Sequence, residues 1–181
     1  MNRTGPRELL HSTTSGDAPG TIVDSRCPVL HKRLNTGLFK DLKGLALPAD
    51  DFVIAGSAPL YIRDLRDEVS DLDVVAGERC WRQAQPLGSL QPAPYGDVLS
   101  VGVVERKARP VGPIEVLNAW FPPLFGNVAQ LIENAEVVDG LRFLTLQDTY
   151  RWKERLGREK DRDDLSRVRR KFPEAPLWWG N

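Results

Sequence analysis

The sequence has no excess of either charge and contains few cysteine and histidine residues. Its 181 residues include 25 lysines or arginines and 25 aspartates or glutamates, which gives a formal net charge of zero. A chain without net charge has no general attraction to nucleic acid or anionic membranes, although a local basic patch is still allowed. The two cysteines, Cys27 and Cys80, lack metal-ligand spacing, and the two histidines are isolated. These scarcities argue against a metal site built on cysteine or histidine.

Long apolar runs are also missing. No apolar run approaches the ~20 residues that a membrane-spanning helix needs. The first residues contain no hydrophobic segment of the kind found in signal peptides. Two cysteines without a secretion signal are typical of a reducing compartment. We therefore expect a cytoplasmic protein with no membrane partner.

The composition is that of an ordinary globular chain. Apolar residues make up 41% and charged residues 28% of the sequence, and the length suits one domain with its own core. Residues 1–22 are rich in Gly, Ser, Thr and Pro, which predicts a flexible leader. Residues 23–181 are then expected to form a single domain.

The spacing of apolar residues predicts alternating helices and strands. Helices are predicted at residues 28–43 with a break near Gly37, and at 58–65, 81–87, 128–135, 145–156 and 161–170. Strands are predicted at 52–55, 72–75, 98–104, 113–120, 136–138 and 141–144, with a loop at 88–96. Ser57 and Thr145 are the expected N-caps of their helices. The alternation predicts an α/β fold, with a small mixed sheet and helices packed on its faces.

Three acidic residues on predicted strands form the most informative pattern. Asp71 and Asp73 are two residues apart, so in a strand both side chains point to one face. Two carboxylates this close repel each other and raise each other's pKa, which a Mg²⁺ ion with oxygen ligands would relieve. Glu115 lies between apolar Ile114 and Val116 and is therefore expected to face the same open side. Together the three acids predict a site for two metal ions.

A predicted anion site lies beside these acids. Gly56 and Ser57 end one predicted strand and open a helix, where exposed backbone N–H groups can bind phosphate. Lys153 and Lys160 could add positive charge for the β- and γ-phosphates. The alternative for both lysines is ion pairing with the acids interleaved among them, such as Asp161 and Asp164.

Two segments carry a resemblance to a known family. FVIAGSAPLYIRDLRDEVSDLDVV resembles the signature of the nucleotidyltransferase superfamily related to DNA polymerase beta, which runs strand, Gly-Ser, helix, Asp-x-Asp and a later acid. LTLQDTYRWKERLGREKDRDDLSRV resembles the end of small stand-alone members of the toxin and antibiotic-modifying types. The resemblance covers residues 48–171. The chain departs from it at Ala58-Pro59-Leu60, where the superfamily has Ala-Arg-Gly.

The resemblance implies a nucleotidyltransferase fold and a role for each candidate residue. Gly56 and Ser57 would bind the triphosphate of ATP or another NTP, with help from Lys153 and Lys160. The three acidic residues Asp71, Asp73 and Glu115 would hold two Mg²⁺ ions and form the catalytic centre.

Three functions remain open at this point. The first is Mg²⁺-dependent transfer of a nucleoside monophosphate from an NTP to an acceptor hydroxyl on an antibiotic, a tRNA, a protein or a small metabolite. The second is a catalytically silent binding module that acts as a toxin–antitoxin or regulatory partner. The third is a metal-dependent hydrolase, which the lack of a histidine-rich ligand set disfavours. Because a chain of this length has little room for an acceptor-binding domain, a homo-oligomer or a protein partner is expected.

Overall fold

A computed structural model describes residues 28–93, 99–104 and 114–174. In these ranges it contains seven α-helices, which are α1 Pro28–Arg33, α2 Gly37–Gly44, α3 Ala58–Tyr61, α4 Glu78–Ala84, α5 Val128–Glu133, α6 Leu146–Leu156 and α7 Glu159–Lys171. A 3₁₀ turn at Gln85–Leu87 follows α4. The seven strands are β1 Phe52–Ile54, β2 Leu72–Ala76, β3 Ser89–Pro92, β4 Leu99–Val104, β5 Ile114–Leu117, β6 Glu136–Val138 and β7 Leu141–Phe143.

The strands form one mixed sheet in the order β3-β4-β5-β2-β1-β7-β6. At its centre β2 pairs with β1 in antiparallel fashion and with β5 in parallel fashion. On the other side β1 runs parallel to β7, which forms a hairpin with β6. The prediction of a mixed sheet with helices packed on it is therefore confirmed.

Both faces of the sheet are covered by hydrophobic cores. Strand residues alternate between faces, so Leu72 and Val74 pack with α1, α2 and α4 on the first face, whereas Val75 packs with α5 and α6 on the second. A third cluster joins α3, α6 and α7 through residues such as Leu60 and Leu165. None of the helices in the described ranges combines the length and the apolar character that a membrane crossing requires.

The predicted loop at residues 88–96 is wrong in part, because Ser89–Pro92 is the edge strand β3. Its backbone pairs with β4 in register, and this tertiary pairing overrides the local Gly and Pro signals. A Cβ atom at Gly88 would lie 1.9 Å from the carbonyl oxygen of Gly102. Gly88 thus marks a close backbone approach rather than a loop.

Other boundaries also differ from the predictions. Helix α3 ends at Tyr61 rather than at residue 65, and Asp64 nearby adopts a left-handed conformation with φ of 53°. Strand β5 ends at Leu117 rather than at residue 120. The break predicted near Gly37 is confirmed, since α1 and α2 are separate helices. The leader predicted at residues 1–22 lies outside the described residues, as does residue 98 of the third predicted strand.

Helix α6, which carries Lys153, has well-formed caps at both ends. The Thr145 hydroxyl accepts a hydrogen bond from the Asp148 N–H at 3.0 Å and donates one to the Asp148 carboxylate at 2.8 Å. At the other end Gly157 has a φ of 60°, a conformation that glycine adopts without strain. These caps fix where α6 begins and ends, and the N-cap predicted at Thr145 is confirmed.

Replacing Thr145 with alanine is expected to lower the free energy of unfolding by about 1 kcal/mol, because it removes the cap. Urea unfolding followed by circular dichroism measures this change. Thr36→Ala is the matched control, since Thr36 precedes α2 but its side chain makes no capping hydrogen bond. Equal losses of unfolding free energy in the two variants would show that the capping hydrogen bond at Thr145 does not stabilise the protein.

Candidate functional site

The turn after β1 is built around a close contact between Gly56 and Asp73. Gly56 has a φ of 65°, which disfavours other residues. The Ala55 N–H donates to the Asp73 carbonyl oxygen at 2.8 Å. A Cβ atom at Gly56 would lie 2.2 Å from Oδ2 of Asp73. The carboxylate therefore fills the space that any side chain at position 56 would need.

Two of the three predicted acids lie on neighbouring strands, and the third immediately precedes one of them. Asp73 of β2 and Glu115 of β5 are register partners in the parallel pair, so their Cα atoms are about 5 Å apart. Both point to the second face of the sheet, on which α6 packs. Asp71 immediately precedes β2 and is exposed, whereas Asp73 and Glu115 are half-buried. The structure thus places Asp73 and Glu115 side by side on one face of the sheet, with Asp71 at the start of β2.

Asp73 is the electrostatic centre of this group. Burial raises its pKa from 3.8 to about 7, and the negative charges of Asp71 and Glu115 add to the rise. The positive charges of Lys153 and Lys160 act in the opposite direction. The charges of all four groups therefore act on Asp73, although Lys160 itself is exposed on the first turn of α7.

The donor chemistry of the acids suits a hard divalent cation, because all the ligand atoms are carboxylate oxygens. Their geometry is more open than that of a complete metal site. Among the described residues no group of three or more His, Cys, Asp or Glu side chains is arranged to hold a metal ion. The acids supply the negative charge that Mg²⁺ would neutralise, without forming a closed ligand shell.

Lys153 joins the Gly-Ser turn to α6 and α7. Its side chain is only 2% exposed, and its ammonium group lies 2.8 Å from Asp164 and 3.2 Å from Asp161. It also donates to the Ser57 hydroxyl at 3.4 Å. A buried ammonium must be paired to be tolerated. Lys153 is therefore ion-paired, which is the alternative that the sequence left open for it, and it also lies beside the predicted phosphate turn.

Arginines complete the pairing of the two buried aspartates. Arg158 donates to Asp161 at 2.6 Å, and Arg66 donates to Asp164 at 2.8 Å. Although burial alone would raise the pKa of Asp161, the Arg158 hydrogen bond and the Lys153 charge hold it below its usual range. We call these five residues the Lys153 cluster. The interleaved acids and bases near the C-terminus were visible in the sequence, but the pairing of both aspartates with Lys153 and the contribution of Arg66 were not.

The helix that follows the predicted anion site contributes little to it. Helix α3 contains only four residues, and the Ser57 side chain makes no capping hydrogen bond. A helix this short has little dipole to offer an anion. Any attraction for phosphate at the turn would come from its backbone N–H groups and from the neighbouring Lys153 ammonium.

The contact between Gly56 and Asp73 can be tested with Gly56→Ala. We expect a loss of about 2 kcal/mol or more in the free energy of unfolding, because the new methyl group collides with the carboxylate and the backbone is strained. Gly140→Ala is the control, since Gly140 also has a positive φ of 76° but nothing lies within 4 Å of its Cβ position. Chemical denaturation compares the two. Equal losses would contradict a special role for the Asp73 contact.

The raised pKa of Asp73 predicts that Asp73→Asn stabilises the metal-free protein above pH 7. A carboxylate whose pKa is higher when folded destabilises the native state once it ionises, by about 2 kcal/mol after allowance for its partial exposure. This gain should shrink as the pH falls from about 7 towards 3.8, because the folded protein then binds the proton.

Urea unfolding in the presence of a chelator, repeated across this pH range, measures the difference between Asp73→Asn and the unsubstituted protein. Asp41→Asn, at an exposed position on α2, is the control and should have little effect. An Asp73→Asn variant less stable than the unsubstituted protein above pH 7 would contradict the electrostatic picture.

Comparisons with known proteins do not assign this chain to a family. The chain matches no protein-family model, no curated protein and no solved structure. The site has therefore to be interpreted from its own residues and contacts.

Proposed function

We propose that this protein is a Mg²⁺-dependent nucleotidyltransferase that moves a nucleoside monophosphate from an NTP to an acceptor hydroxyl. One observation carries the proposal: the Gly56–Ser57 turn, the strand-borne acids and the buried Lys153 ammonium lie together at one end of the sheet. Gly56 contacts Asp73, which joins the turn to the acids. Ser57 contacts Lys153, which joins the turn to the buried ammonium.

The triphosphate would bind at the turn. The Ser57 hydroxyl and the Lys153 ammonium, 3.4 Å apart, are both able to donate to phosphate oxygens. Lys160 is exposed and close enough to Asp73 for its charge to act there, so it would meet the outer phosphates. ATP is the NTP that we propose as the first substrate to test.

Asp71, Asp73 and Glu115 would hold Mg²⁺, which when bound neutralises phosphate charge and stabilises the leaving group. The acceptor oxygen would form a bond to the α-phosphorus as the bond from that phosphorus to the bridging oxygen breaks, releasing pyrophosphate. Glu115 is half-buried beside Asp73 and would accept the proton of the acceptor hydroxyl. This role follows from its position on the strand next to the Asp pair.

A catalytically silent binding module is the second candidate, and a specific feature of the site favours it. Ala58, Pro59 and Leu60, which follow the turn, are buried and apolar, so no side chain there can reach a phosphate. In addition, Lys153 is already paired with two aspartates. In this case the surface around the turn would bind a regulatory partner or an antitoxin rather than turn over an NTP.

The remaining parts of the proposal concern the surroundings of the protein. We infer a cytoplasmic location, and the free thiol of Cys80 is consistent with a reducing compartment. Burial raises the pKa of Cys80 to about 12, so this thiol is unreactive. A second copy of the chain or another protein would help to bind the acceptor.

The experiment that tests the proposed function is calorimetric titration of each of the four NTPs with Mg²⁺. The unsubstituted protein should bind at least one NTP, and the double variant Asp71→Asn, Asp73→Asn should lose the metal-dependent part of this affinity. Asp41→Asn, at an exposed position away from the site, is the matched control and should bind normally. Release of pyrophosphate in the presence of candidate acceptors then measures turnover.

The results separate the two candidates. Metal-dependent binding that the double variant loses, followed by pyrophosphate release, supports the transferase. Failure of every NTP to bind would contradict the transferase and leave the silent module, for which a partner should be sought.

A further inference from the structure

A second pocket lies at the opposite end of the sheet from the acids. Its volume is about 830 Å³, within the usual range for small-molecule sites. Gly77, which follows β2, and Asn118, which follows β5, both line it, whereas Asp73 and Glu115 lie nearer the starts of the same strands. The pocket is therefore separate from the site proposed for the NTP.

The walls of the pocket are partly apolar. Trp81 of α4 lines one part, and Val128 and Ile132 of α5 line another. The indole of Trp81 is half-buried, which leaves part of this flat surface accessible to a ligand. Walls of this kind favour a flat, apolar molecular body.

Arg142 of β7 provides a positive charge in this pocket. Its Nε atom is buried and has no hydrogen-bond partner, and no carboxylate among the described residues forms an ion pair with it. Arg142 as a whole is only half-buried, whereas the buried guanidinium of Arg63 is paired with Glu136. A buried donor without a partner is unfavourable, so Arg142 is a candidate for binding an acidic group.

Two amide side chains in the lining add further donors. The Oδ1 atom of Asn118 accepts from the Leu99 N–H at 2.9 Å, and that of Asn127 accepts from the Ala129 N–H at 2.8 Å. These bonds fix the orientation of both amides and leave their NH₂ groups to donate. The asparagines and Arg142 thus offer donors to the same pocket.

None of the three acidic residues in the lining forms an ion pair with Arg142 in the described part of the chain, although the hydrogen bond from Arg79 and, more weakly, the Arg142 charge lower the pKa of Asp50 nearby. The Asp51 carboxylate accepts a hydrogen bond from the Cys80 N–H at 2.8 Å and is committed to the start of α4. Glu78 pairs with Arg82 at 3.3 Å. Glu133 is exposed, which places it at the rim in contact with water.

We propose that this pocket binds a small organic acid with a flat apolar body. The carboxylate would pair with Arg142 and accept hydrogen bonds from the asparagine amides. The ring would lie against Trp81 and the aliphatic side chains of α5. This binding does not depend on the proposed transferase activity, because the two sites use different residues.

The test is NMR titration of the full-length, ¹⁵N-labelled protein with three naphthalene probes that differ in charge: 2-naphthoate, 2-naphthylmethanol and 2-naphthylmethylamine. We expect naphthoate to shift the Trp81 indole signal, assigned with Trp81→Phe, together with the amide signals of residues 128–133. Arg142→Gln should weaken this binding about tenfold or more, because it removes a charged hydrogen bond. Arg151→Gln, at an exposed position on α6 outside the pocket, should leave the affinity unchanged.

Three results would overturn the proposal: no shifts with naphthoate up to its solubility limit, equal binding of the amine, or shifts that map outside the pocket. If Arg142→Gln does not fold, Ile132→Trp replaces it. The added indole should fill the pocket and abolish naphthoate binding, and retained affinity in that variant would also contradict the proposal.

Discussion

The burial of the Lys153 ammonium is the constraint on which the rest of the site depends. An unpaired ammonium at this depth would be strongly destabilising, so α7 has to supply Asp161 and Asp164 from the other side of Lys153. The same two carboxylates bind Arg158 and Arg66. The buried charge therefore links α6, α7 and the turn at Ser57, in addition to the hydrophobic cluster that joins α3, α6 and α7.

A second constraint acts through the small space between Gly56 and Asp73. The turn brings the backbone so close that only glycine fits, and it leaves the Asp73 carboxylate half-buried beside Asp71 and Glu115. Such a carboxylate lowers the stability of the fold when ionised. Residues that reduce stability while sharing one location are typical of functional sites. The cations of Lys153 and Lys160 relieve only part of this repulsion, and a metal ion would relieve more.

Local signals in the sequence predicted the elements that depend on local interactions. The central strands β1 and β2, the β6–β7 hairpin and the cap at Thr145 all follow from patterns within a few residues. The common face of Asp73 and Glu115 could be predicted from the two-residue period of strands. Their register could not, because it is set by pairing between distant segments. Strand β3 was missed for the same reason, and the Arg142 pocket arises only where several strand ends and helices meet.

The charge balance of the Lys153 cluster bears on the choice between an enzyme and a silent module. If Asp161 and Asp164 neutralised Lys153 completely, nothing would remain to attract a triphosphate. Each aspartate, however, also binds an arginine, so three cations face two carboxylates and the cluster keeps a net positive charge. Lys160 adds another charge whose field reaches Asp73. Because Asp71, Asp73 and Glu115 bring three negative charges to the same site, this surplus would attract a triphosphate only once Mg²⁺ neutralised the acids, as the proposed transferase requires.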